Sequence, residues 1–288
     1  MQHTFDIVGI VGTGAMGRGI AQIAAQAGSV VRLFDTQPAA VERAIQELGA
    51  QWDRLLEKGR MDSASVQSAK ERLRPAASLR ELADCELVIE AVIESKAAKL
   101  EVFRRLSDVV EDPESILASN TSSIPIVELA TATRGRAEHV LGLHFFNPVP
   151  VLSLVEIIPS LLTSKRVSER ADRFAADQLG KDPIVAPDRA GFTVNALLIP
   201  YVLSAIRMFE QGLASAEDID RGMVKGCAHP MGPLALADLI GLDTVMGVAE
   251  TLYAEQREQF FAPPLLLQRL VAAGLLGRKS GRGLYNYA

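Results

Sequence analysis

The sequence predicts an α/β protein with two domains: a doubly wound, mostly parallel sheet domain over residues 1–187 and an all-helical domain over residues 188–288. Short apolar, β-branched runs alternate with helical stretches in the first part of the chain, which is the pattern of strands buried on both faces of a parallel sheet. Strand-like runs stop near residue 188. The length of 288 residues also suits about two domains.

The composition is that of a folded globular protein. Hydrophobic residues make up 48% of the chain and charged residues 23%, which argues against disorder or a fibrous repeat. The net charge is −5 and no long basic run is present, so nucleic acid is not an expected partner. Cys85 and Cys227 match neither a disulfide framework nor a metal-ligand spacing. We therefore expect no bound metal and a reducing compartment.

The amino terminus lacks the pattern of a secretory signal. Residues 1–6 contain no basic segment, and Asp6 precedes most of the first apolar run. The longest apolar stretch, residues 196–206, is interrupted by Pro200 and is shorter than the roughly 20 residues that span a bilayer. We therefore expect a cytoplasmic protein without a membrane partner.

The first domain opens with a βαβ unit. Residues 5–11 predict a strand, residues 16–27 a helix that ends at Gly28, and residues 30–34 a second strand. Beyond Pro38, apolar residues three and four apart predict a long amphipathic helix. These residues are Val41, Ile45, Leu48, Trp52 and Leu55.

The rest of the first domain follows the same alternation. Strands are predicted at 86–92, 115–119, 140–146, 152–158 and near Ile184, and helices at 96–110 and 167–179. The segments 140–146 and 152–158 are joined by Asn-Pro-Val-Pro. This short connection predicts an antiparallel pair, which we place at the edge of the sheet.

From Gly191 onward the apolar spacing is helical. Helices are predicted at residues 192–211, 215–226, 233–258 and 264–274. Asp218 and Asp220 fall in a predicted first turn, where the helix dipole favours negative charge. The second domain is therefore predicted to be all helical.

A glycine loop predicts a dinucleotide site. Gly12-Thr13-Gly14-Ala15-Met16-Gly17 is G-x-G-x-x-G between a predicted strand and a predicted helix. The first glycine permits a tight turn, the second lets the backbone approach a pyrophosphate, and the third lets helix pack on strand. Free N–H groups of the helix then face the anion. Gly12, Gly14, Met16 and Gly17 are the predicted cofactor-binding residues of a Rossmann-type domain.

Asp35 discriminates among the cofactors that use such a loop. It ends the second predicted strand, about 20 residues beyond Gly12, where a carboxylate accepts hydrogen bonds from an adenosine ribose. Thr36 and Gln37 follow it, and neither can compensate the charge of a 2′-phosphate. NAD is therefore expected over NADP, and FAD remains an alternative at this point.

His144 is the histidine that its surroundings single out. The other residues of 141–146 are apolar or glycine, and a buried imidazole without a partner is costly. If the two strands fold back about Pro150, Glu156 faces His144. A carboxylate on one ring nitrogen fixes the tautomer and makes the other nitrogen more basic, as an acid/base catalyst requires. A buried His–Glu pair without chemistry is the alternative.

Two further polar residues are candidates for the same site. Ser122 lies at the carboxyl end of a predicted strand, where ligands bind in doubly wound sheets. Ser122 and Ser123 could instead cap a helix that follows Pro125. Asn195 lies near the start of an apolar helix at the domain boundary, and a buried hydrogen bond between helices is the alternative role for it.

Together these motifs resemble the short-chain 3-hydroxyacyl-CoA dehydrogenases, the family that includes bacterial 3-hydroxybutyryl-CoA dehydrogenases. The resemblance spans nearly the whole chain. Besides the glycine loop it rests on residues 120–123, 142–150, 154–156, 191–195, 229–233, 241–243 and 279–285. Ser95 and Ala196 are departures, because the family often has Asn and Arg at these positions.

The resemblance implies an NAD-dependent interconversion of (S)-3-hydroxyacyl-CoA and 3-oxoacyl-CoA, with 3-hydroxybutyryl-CoA and acetoacetyl-CoA as expected substrates. It implies that His144 is the acid/base, that Glu156 orients it, and that Ser122 and Asn195 contact the substrate. A homodimer through the C-terminal helical domain is also implied. The implied NAD contacts are Asp35, Glu94, Lys99, Ser122, Asn147 and Lys279.

The acidic CoA tail requires cations. Arg54 and Lys58 lie four residues apart on a predicted helix, away from its apolar stripe, and we expect this face to bind the CoA phosphates. Solvation alone is the alternative for such exposed bases. Two other functions remain open: a sister dehydrogenase for a carrier-protein-bound 3-hydroxyacyl unit or a sugar acid, and a non-catalytic NAD-binding structural protein.

Overall fold

Strands buried on both faces form the centre of the N-terminal part of the chain. The structure, a computed structural model, describes residues 4–287. Within them the strands are β1 (Ile7–Val11), β2 (Val30–Phe34), β3 (Leu73–Pro75), β4 (Leu87–Glu90), β5 (Ile116–Ser119), β6 (Val140–Phe145), β7 (Leu154–Pro159) and β8 (Asp182–Val185). They form one sheet in the order β3-β2-β1-β4-β5-β6-β7-β8. The strands from β3 to β6 run parallel, as the apolar runs predicted.

Helices pack against this sheet. They are α1 (Ala15–Gln26), α2 (Pro38–Glu57), α3 (Ser63–Arg72), α4 (Lys96–Val109), α5 (Ile126–Ala132) and α6 (Lys165–Arg173). The predicted stripe of α2 is buried at Val41, Leu48 and Trp52. Neither α3 nor β3 was predicted from the sequence, because α3 has a weak apolar stripe and β3 has only three residues.

One predicted position in the sheet is wrong. β6 and β7 pair antiparallel, but they do not form the edge, because β8 pairs parallel with β7 outside them. The strand near Ile184 was predicted without a neighbour. Its side chains are mostly exposed, which suits an edge strand with one unpaired side.

The strand order determines where a ligand can bind. The chain runs outward from β1 to β2 and β3, and then returns to β4 on the other side of β1. The carboxyl ends of β1, β4, β5 and β6 lie at the same edge of the sheet because these strands are parallel. Ligands of doubly wound sheets bind at such an edge, where the strand order reverses.

The chain divides into two compact units between Arg189 and Ala190, whereas the sequence placed the boundary between residues 187 and 188. The C-terminal unit contains α7 (Val194–Glu210), α8 (Ala216–Gly226), α9 (Pro233–Ile240), α10 (Leu242–Gln256) and α11 (Leu265–Ala272). Residues 233–258 were predicted as one helix. They form two, because Gly241 has a φ of +101° between α9 and α10, a conformation that favours glycine and ends a helix.

Asp220 has a different role from the predicted one. Its carboxylate accepts hydrogen bonds from the backbone N–H groups of Leu234 and Ala235, in the first turn of α9. It therefore caps a neighbouring helix and does not lie in the first turn of its own. None of the helices within residues 4–287 is long and apolar enough to cross a membrane. Residues 1–3, in the segment where no secretory signal was expected, lie outside the described residues.

Candidate active site

The glycine loop connects β1 to α1. A Cβ on Gly12, which has a φ of +97°, would lie 2.6 Å from the carbonyl oxygen of Ala91, and a Cβ on Gly17 would lie 1.9 Å from that of Gly12. Gly14 is different, since a Cβ there would have no atom within 4 Å. The first and third glycines are thus required by packing, whereas the second faces open space at the N-terminus of α1. A pyrophosphate fits this arrangement.

Asp35 follows β2 beside this loop. Its Oδ2 accepts hydrogen bonds from Thr13 N (2.9 Å) and Thr13 Oγ1 (3.0 Å), and its Oδ1 accepts one from Gln37 N (3.1 Å). Burial acts to raise the pKa of Asp35, but these hydrogen bonds outweigh it and hold the pKa below its ordinary value. The carboxylate is therefore ionised at neutral pH, and it retains lone pairs for a ribose hydroxyl.

A buried ion pair lies behind the carboxyl end of β4. Lys99 of α4 is 1% exposed and Glu90, the last residue of β4, has no exposed surface. Lys99 Nζ lies 2.6 Å from Glu90 Oε1 and 3.3 Å from Glu94 Oε2. Lys99 is a predicted NAD contact, and two carboxylates of the chain neutralise its ammonium group.

Glu94 holds the turn that follows β5. Its Oε1 accepts hydrogen bonds from Thr121 Oγ1 (2.5 Å), Ser122 N (3.0 Å) and Ser123 Oγ (3.0 Å). Burial acts to raise the pKa of Glu94, but the Lys99 charge and these hydrogen bonds lower it further than burial raises it. Glu94 is therefore an anion at neutral pH, and its side chain is 40% exposed.

Ser122 and Ser123 do not cap α5. The backbone N–H groups of Ile126 and Val127 donate to the Asp188 carboxylate at 2.5 and 2.8 Å, so the cap comes from a residue distant in sequence. The alternative of a purely local capping role for the two serines is therefore wrong. Their hydroxyl and amide groups serve the contacts with Glu94 and with β6.

His144 and Glu156 form a buried pair across β6 and β7. The antiparallel register places them opposite each other, which confirms the pairing predicted from the fold-back about Pro150. His144 Nδ1 lies 2.7 Å from Glu156 Oε2, and His144 Nε2 lies 3.2 Å from Ser122 Oγ. His144 is 4% exposed and Glu156 has no exposed surface. The structure thus brings three predicted site residues together at the carboxyl ends of β5 and β6.

The segment that follows β6 is held in place by polar side chains. Asn120 Oδ1 accepts a hydrogen bond of 2.9 Å from Phe145 N, which joins the ends of β5 and β6. Lys181 donates to the carbonyl oxygens of Val149 (2.6 Å) and Leu152 (2.7 Å). Asn147, a predicted NAD contact, is exposed within this segment.

Two predicted site residues belong to the C-terminal unit. Asn195 lies in the first turn of α7 and is half-buried. Lys279 is exposed and its Nζ lies 2.5 and 2.6 Å from the two carboxylate oxygens of Asp243. Burial acts to raise the pKa of Asp243, but its contacts with Lys279 lower it overall. The substrate contact of Asn195 and the NAD contact of Lys279 remain predictions.

Arg54 and Lys58 lie at the end of α2 and are exposed. Arg54 borders a surface cleft of about 590 Å³, which Arg18, Gln46, Glu47, Ala50 and Gln51 also line. Arg18 forms an ion pair with Glu47 across this cleft. Lys58 caps the helix, and its backbone N–H donates to Arg54 O at 3.2 Å. The helix end therefore offers cations to solvent beside an open cleft.

Sequence reasoning missed Glu90 and Lys181. Glu90 ends the strand sequence Leu-Val-Ile-Glu, in which the other residues are apolar. An acidic residue at the end of a buried strand was therefore an available signal. Lys181 had none, because the carbonyl groups that it binds are identified only by the fold.

Comparisons with known proteins agree with this geometry. The sequence profile described as "3-hydroxyacyl-CoA dehydrogenase, NAD binding domain" matches residues 7–189, and the profile of the C-terminal domain of the same enzymes matches residues 191–287. A 3-hydroxybutyryl-CoA dehydrogenase of Mycobacterium tuberculosis is 47% identical over the whole of both chains. A probable 3-hydroxybutyryl-CoA dehydrogenase of Bacillus subtilis is 44% identical over 96% of each chain.

Solved structures give the same result. The crystal structure of FadB2 from M. tuberculosis superposes with a TM-score of 0.96 at 48% identity, over 99% of each chain. That of (S)-3-hydroxybutyryl-CoA dehydrogenase from Ralstonia eutropha gives 0.93 at 44% identity, also over 99% of each chain. With its glycine loop, its anionic Asp35 and these relatives, the chain belongs to the 3-hydroxyacyl-CoA dehydrogenase family and is an NAD-dependent dehydrogenase.

Proposed function

We propose that the protein interconverts (S)-3-hydroxybutyryl-CoA and acetoacetyl-CoA, with His144 as the acid/base and Glu156 as its orienting partner. The observation that carries this proposal is the buried contact of 2.7 Å between His144 Nδ1 and the Glu156 carboxylate. An anion at Nδ1 favours the tautomer with its proton on that nitrogen. The lone pair is then on Nε2, the nitrogen beside Ser122.

In the oxidation direction, His144 Nε2 takes the proton of the 3-hydroxyl group, and in reduction it returns that proton. The Glu156 carboxylate stabilises the imidazolium that forms, and burial strengthens this attraction because little water screens it. The hydroxyl of Ser122 can both donate and accept a hydrogen bond. It orients the imidazole and the reacting oxygen, and we assign Asn195 a further polar contact to the substrate.

The cofactor fits the glycine loop. Gly12, Gly14, Met16 and Gly17 would hold the pyrophosphate of NAD at the N-terminus of α1, and Asp35 would hold the adenosine ribose. When bound there, the cofactor would supply the hydride acceptor for C3 of the substrate in oxidation and the hydride donor in reduction. We also assign NAD contacts to Glu94, Lys99, Ser122, Asn147 and Lys279, as the family resemblance implies.

The CoA phosphates are assigned to Arg54 and Lys58. Both side chains are exposed at the end of α2, and Arg54 borders the cleft described above. Exposed cations attract phosphates while remaining solvated. This assignment places CoA binding and the chemical step on different residues, because Arg54 and Lys58 lie at the end of α2 whereas His144 lies in β6.

We include a homodimer through the C-terminal unit and a cytoplasmic location in the proposal. The C-terminal unit exposes large apolar side chains, of which Leu197, Leu213 and Leu265 are each more than half exposed. Such side chains suit a protein interface. Sedimentation at twice the 31.0 kDa mass of the chain would support the dimer, and sedimentation at the chain mass would contradict it.

One assay tests the function. Oxidation of NADH is followed with acetoacetyl-CoA, with longer 3-oxoacyl-CoAs, with the corresponding carrier-protein thioester and with free 3-oxo acids. We expect turnover with acetoacetyl-CoA. Preference for the carrier-protein thioester or a free acid would favour a sister dehydrogenase, and binding of NADH without any turnover would favour a non-catalytic protein.

Two variants connect the activity to the proposed residues. We expect His144→Gln to lower kcat by on the order of 10²-fold or more. His139→Gln, at a second buried histidine of the N-terminal unit, should retain the wild-type kcat. The double variant Arg54→Ala/Lys58→Ala should raise KM for acetoacetyl-CoA and leave kcat unchanged. Near-normal turnover of His144→Gln would exclude this residue as the acid/base.

A further inference from the structure

Glu90 contacts three different parts of the chain through one buried carboxylate. Oε1 accepts hydrogen bonds from Lys99 Nζ (2.6 Å) and Val92 N (2.7 Å). Oε2 accepts one from Ser119 Oγ (2.6 Å). Glu90 has no exposed surface, so it can touch neither solvent nor a bound substrate. Its position at the end of β4 nevertheless connects it to the serine turn, by which we mean residues 119–123.

The first connection runs through Lys99 and Glu94. Lys99 Nζ lies between Glu90 and Glu94, at 2.6 and 3.3 Å. Glu94 in turn accepts hydrogen bonds from the serine turn, including the backbone N–H of Ser122 at 3.0 Å. Glu90 therefore fixes the ammonium of Lys99. This ammonium in turn fixes the Glu94 carboxylate, which holds Ser122.

The second connection is shorter and separate from the first. Ser119 Oγ donates to Glu90 Oε2 and accepts a hydrogen bond of 3.2 Å from Thr121 N. The backbone carbonyl of Glu90 also accepts a hydrogen bond of 2.8 Å from Asn120 N. Both connections thus end within the same five-residue turn, on either side of Ser122.

We propose that Glu90 is a positioning residue for the dehydrogenase reaction. Its carboxylate holds the serine turn so that Ser122 lies against His144. The inference rests on the proposed roles of His144 and Ser122. The distance that Glu90 controls is the 3.2 Å between Ser122 Oγ and His144 Nε2. A shift of about 1 Å at a catalytic group can cost on the order of 10²-fold in rate.

The chemistry of the contacts requires a carboxylate at this position. Both oxygens of Glu90 act as acceptors, and glutamine supplies one acceptor and one N–H₂ donor. If the amide nitrogen faced Ser119, that hydroxyl would have to accept from it as well as from Thr121 N. If it faced Lys99, two donors would oppose each other. Glu90→Gln therefore weakens one of the two connections in either orientation.

A purely structural role predicts a different outcome. Removing one member of a buried ion pair destabilises a protein because the other charge is left unpaired. A general loss of this kind lowers kcat by the same factor whether or not Ser122 has its hydroxyl. A positioning role that acts through Ser122 lowers kcat only when the hydroxyl is present, so a double-mutant cycle separates the two.

The cycle compares kcat for acetoacetyl-CoA reduction in the wild type, Glu90→Gln, Ser122→Ala and the double variant. We expect Glu90→Gln to lower kcat about tenfold or more, with KM for acetoacetyl-CoA changed by less than about threefold. In the Ser122→Ala background, Glu90→Gln should lower kcat by less than about twofold. Glu86→Gln, at the residue that precedes this strand, is the matched control and should retain wild-type kcat.

Two results would overturn the proposal: unchanged kcat in Glu90→Gln, or an equal loss in both backgrounds. If Glu90→Gln does not fold, Glu90→Gln/Lys99→Met removes both buried charges, which such sites tolerate better. Adding Ser122→Ala to this double variant should leave its kcat unchanged. The proposal is overturned if Ser122→Ala lowers kcat there by the same factor as in the wild type. A wild-type enzyme that is inactive on acetoacetyl-CoA would contradict the proposed function. If the wild type is active but the losses of kcat from Glu90→Gln and Ser122→Ala are independent, only the role of Glu90 is contradicted.

Discussion

Glu156 has no exposed surface, and its contact with His144 Nδ1 is 2.7 Å long. A buried carboxylate is costly unless hydrogen bonds or an opposite charge compensate it. The imidazole of His144 supplies a donor in its neutral form and a full positive charge when protonated. The same contact therefore supports the fold and places a carboxylate beside the imidazole that the proposed reaction uses.

Glu156→Gln tests whether the charge matters beyond the hydrogen bond. The amide keeps the size of the side chain, but it either donates to Nδ1, which imposes the wrong tautomer, or accepts without stabilising the imidazolium. We expect kcat to fall by on the order of 10²-fold or more, with KM for acetoacetyl-CoA changed little. Steady-state kinetics with NADH measure both parameters.

The matched control for this variant is Glu138→Gln. Glu138 lies 3.8 Å from His139, which is also a buried histidine, and the side chain of Glu138 is exposed. We expect wild-type kcat for it. A Glu156→Gln enzyme that keeps more than about a third of the wild-type kcat would contradict an electrostatic role for Glu156, whatever the control shows.

At the residue scale, the sequence predicted contacts that depend on a short connection and missed those that depend on strand order. His144 and Glu156 are separated by one hairpin, so counting residues about Pro150 was sufficient to pair them. Glu94 and Ser122 meet because β4 and β5 are neighbours in the sheet. That neighbour relation has no local signature, so Glu94 could be assigned only from the family resemblance.

At the scale of the elements, periodicity located long helices and buried strands within a few residues. The bounds of β2 are as predicted, and α2 begins at Pro38 as predicted. Short elements were missed or misplaced because few residues carry their pattern. The pattern predicts no strand at β3 and no neighbour for β8. It predicts one helix through Gly241, because apolar spacing continues on both sides of this residue.

The connection between β6 and β7 depends on a lysine outside it. Lys181 is buried, and its ammonium donates to the carbonyl groups of Val149 and Leu152 at 2.6 and 2.7 Å. Burial lowers the pKa of Lys181 from its ordinary value. An amine in either protonation state can still donate two hydrogen bonds. Lys181 therefore fixes a segment whose first residues, Phe146 and Asn147, follow directly on β6.

Lys181→Met should loosen this segment. The methionine fills similar volume but leaves the buried carbonyl group of Val149 and the part-buried one of Leu152 without their donor. This loss costs about 1–3 kcal/mol in the free energy of unfolding. Urea denaturation measures this loss, and hydrogen exchange should become faster at residues 149–153. Lys165→Met is the control, because the Lys165 side chain is 91% exposed and its pair with Glu169 is on a helix surface. The prediction fails if the two variants lose equal stability.

At the scale of the whole molecule, the alternation of strands and helices and the chain length predicted the fold class. The parallel strands predicted which edge of the sheet carries the candidate site. The glycine loop after β1, Glu94 after β4, the serine turn after β5 and His144 in β6 come from separate stretches of sequence. The strand order brings them to one edge of the sheet. A ligand held there contacts several connections at once, and its binding free energy adds to the stability of the folded chain.

This linkage allows cofactor preference to be measured without turnover. NADH at about one hundred times its Kd should add roughly 2.7 kcal/mol to the free energy of unfolding and raise the apparent Tm by roughly 5 °C. NADPH at the same concentration should raise it less, because the lowered pKa of Asp35 keeps a negative charge at the ribose site. Asp35→Asn removes that charge. Calorimetry should then show a smaller difference in Tm between the NADH and NADPH complexes, mainly because NADH raises the Tm less. Equal shifts with NADH and NADPH in the wild type would show that Asp35 does not select the cofactor.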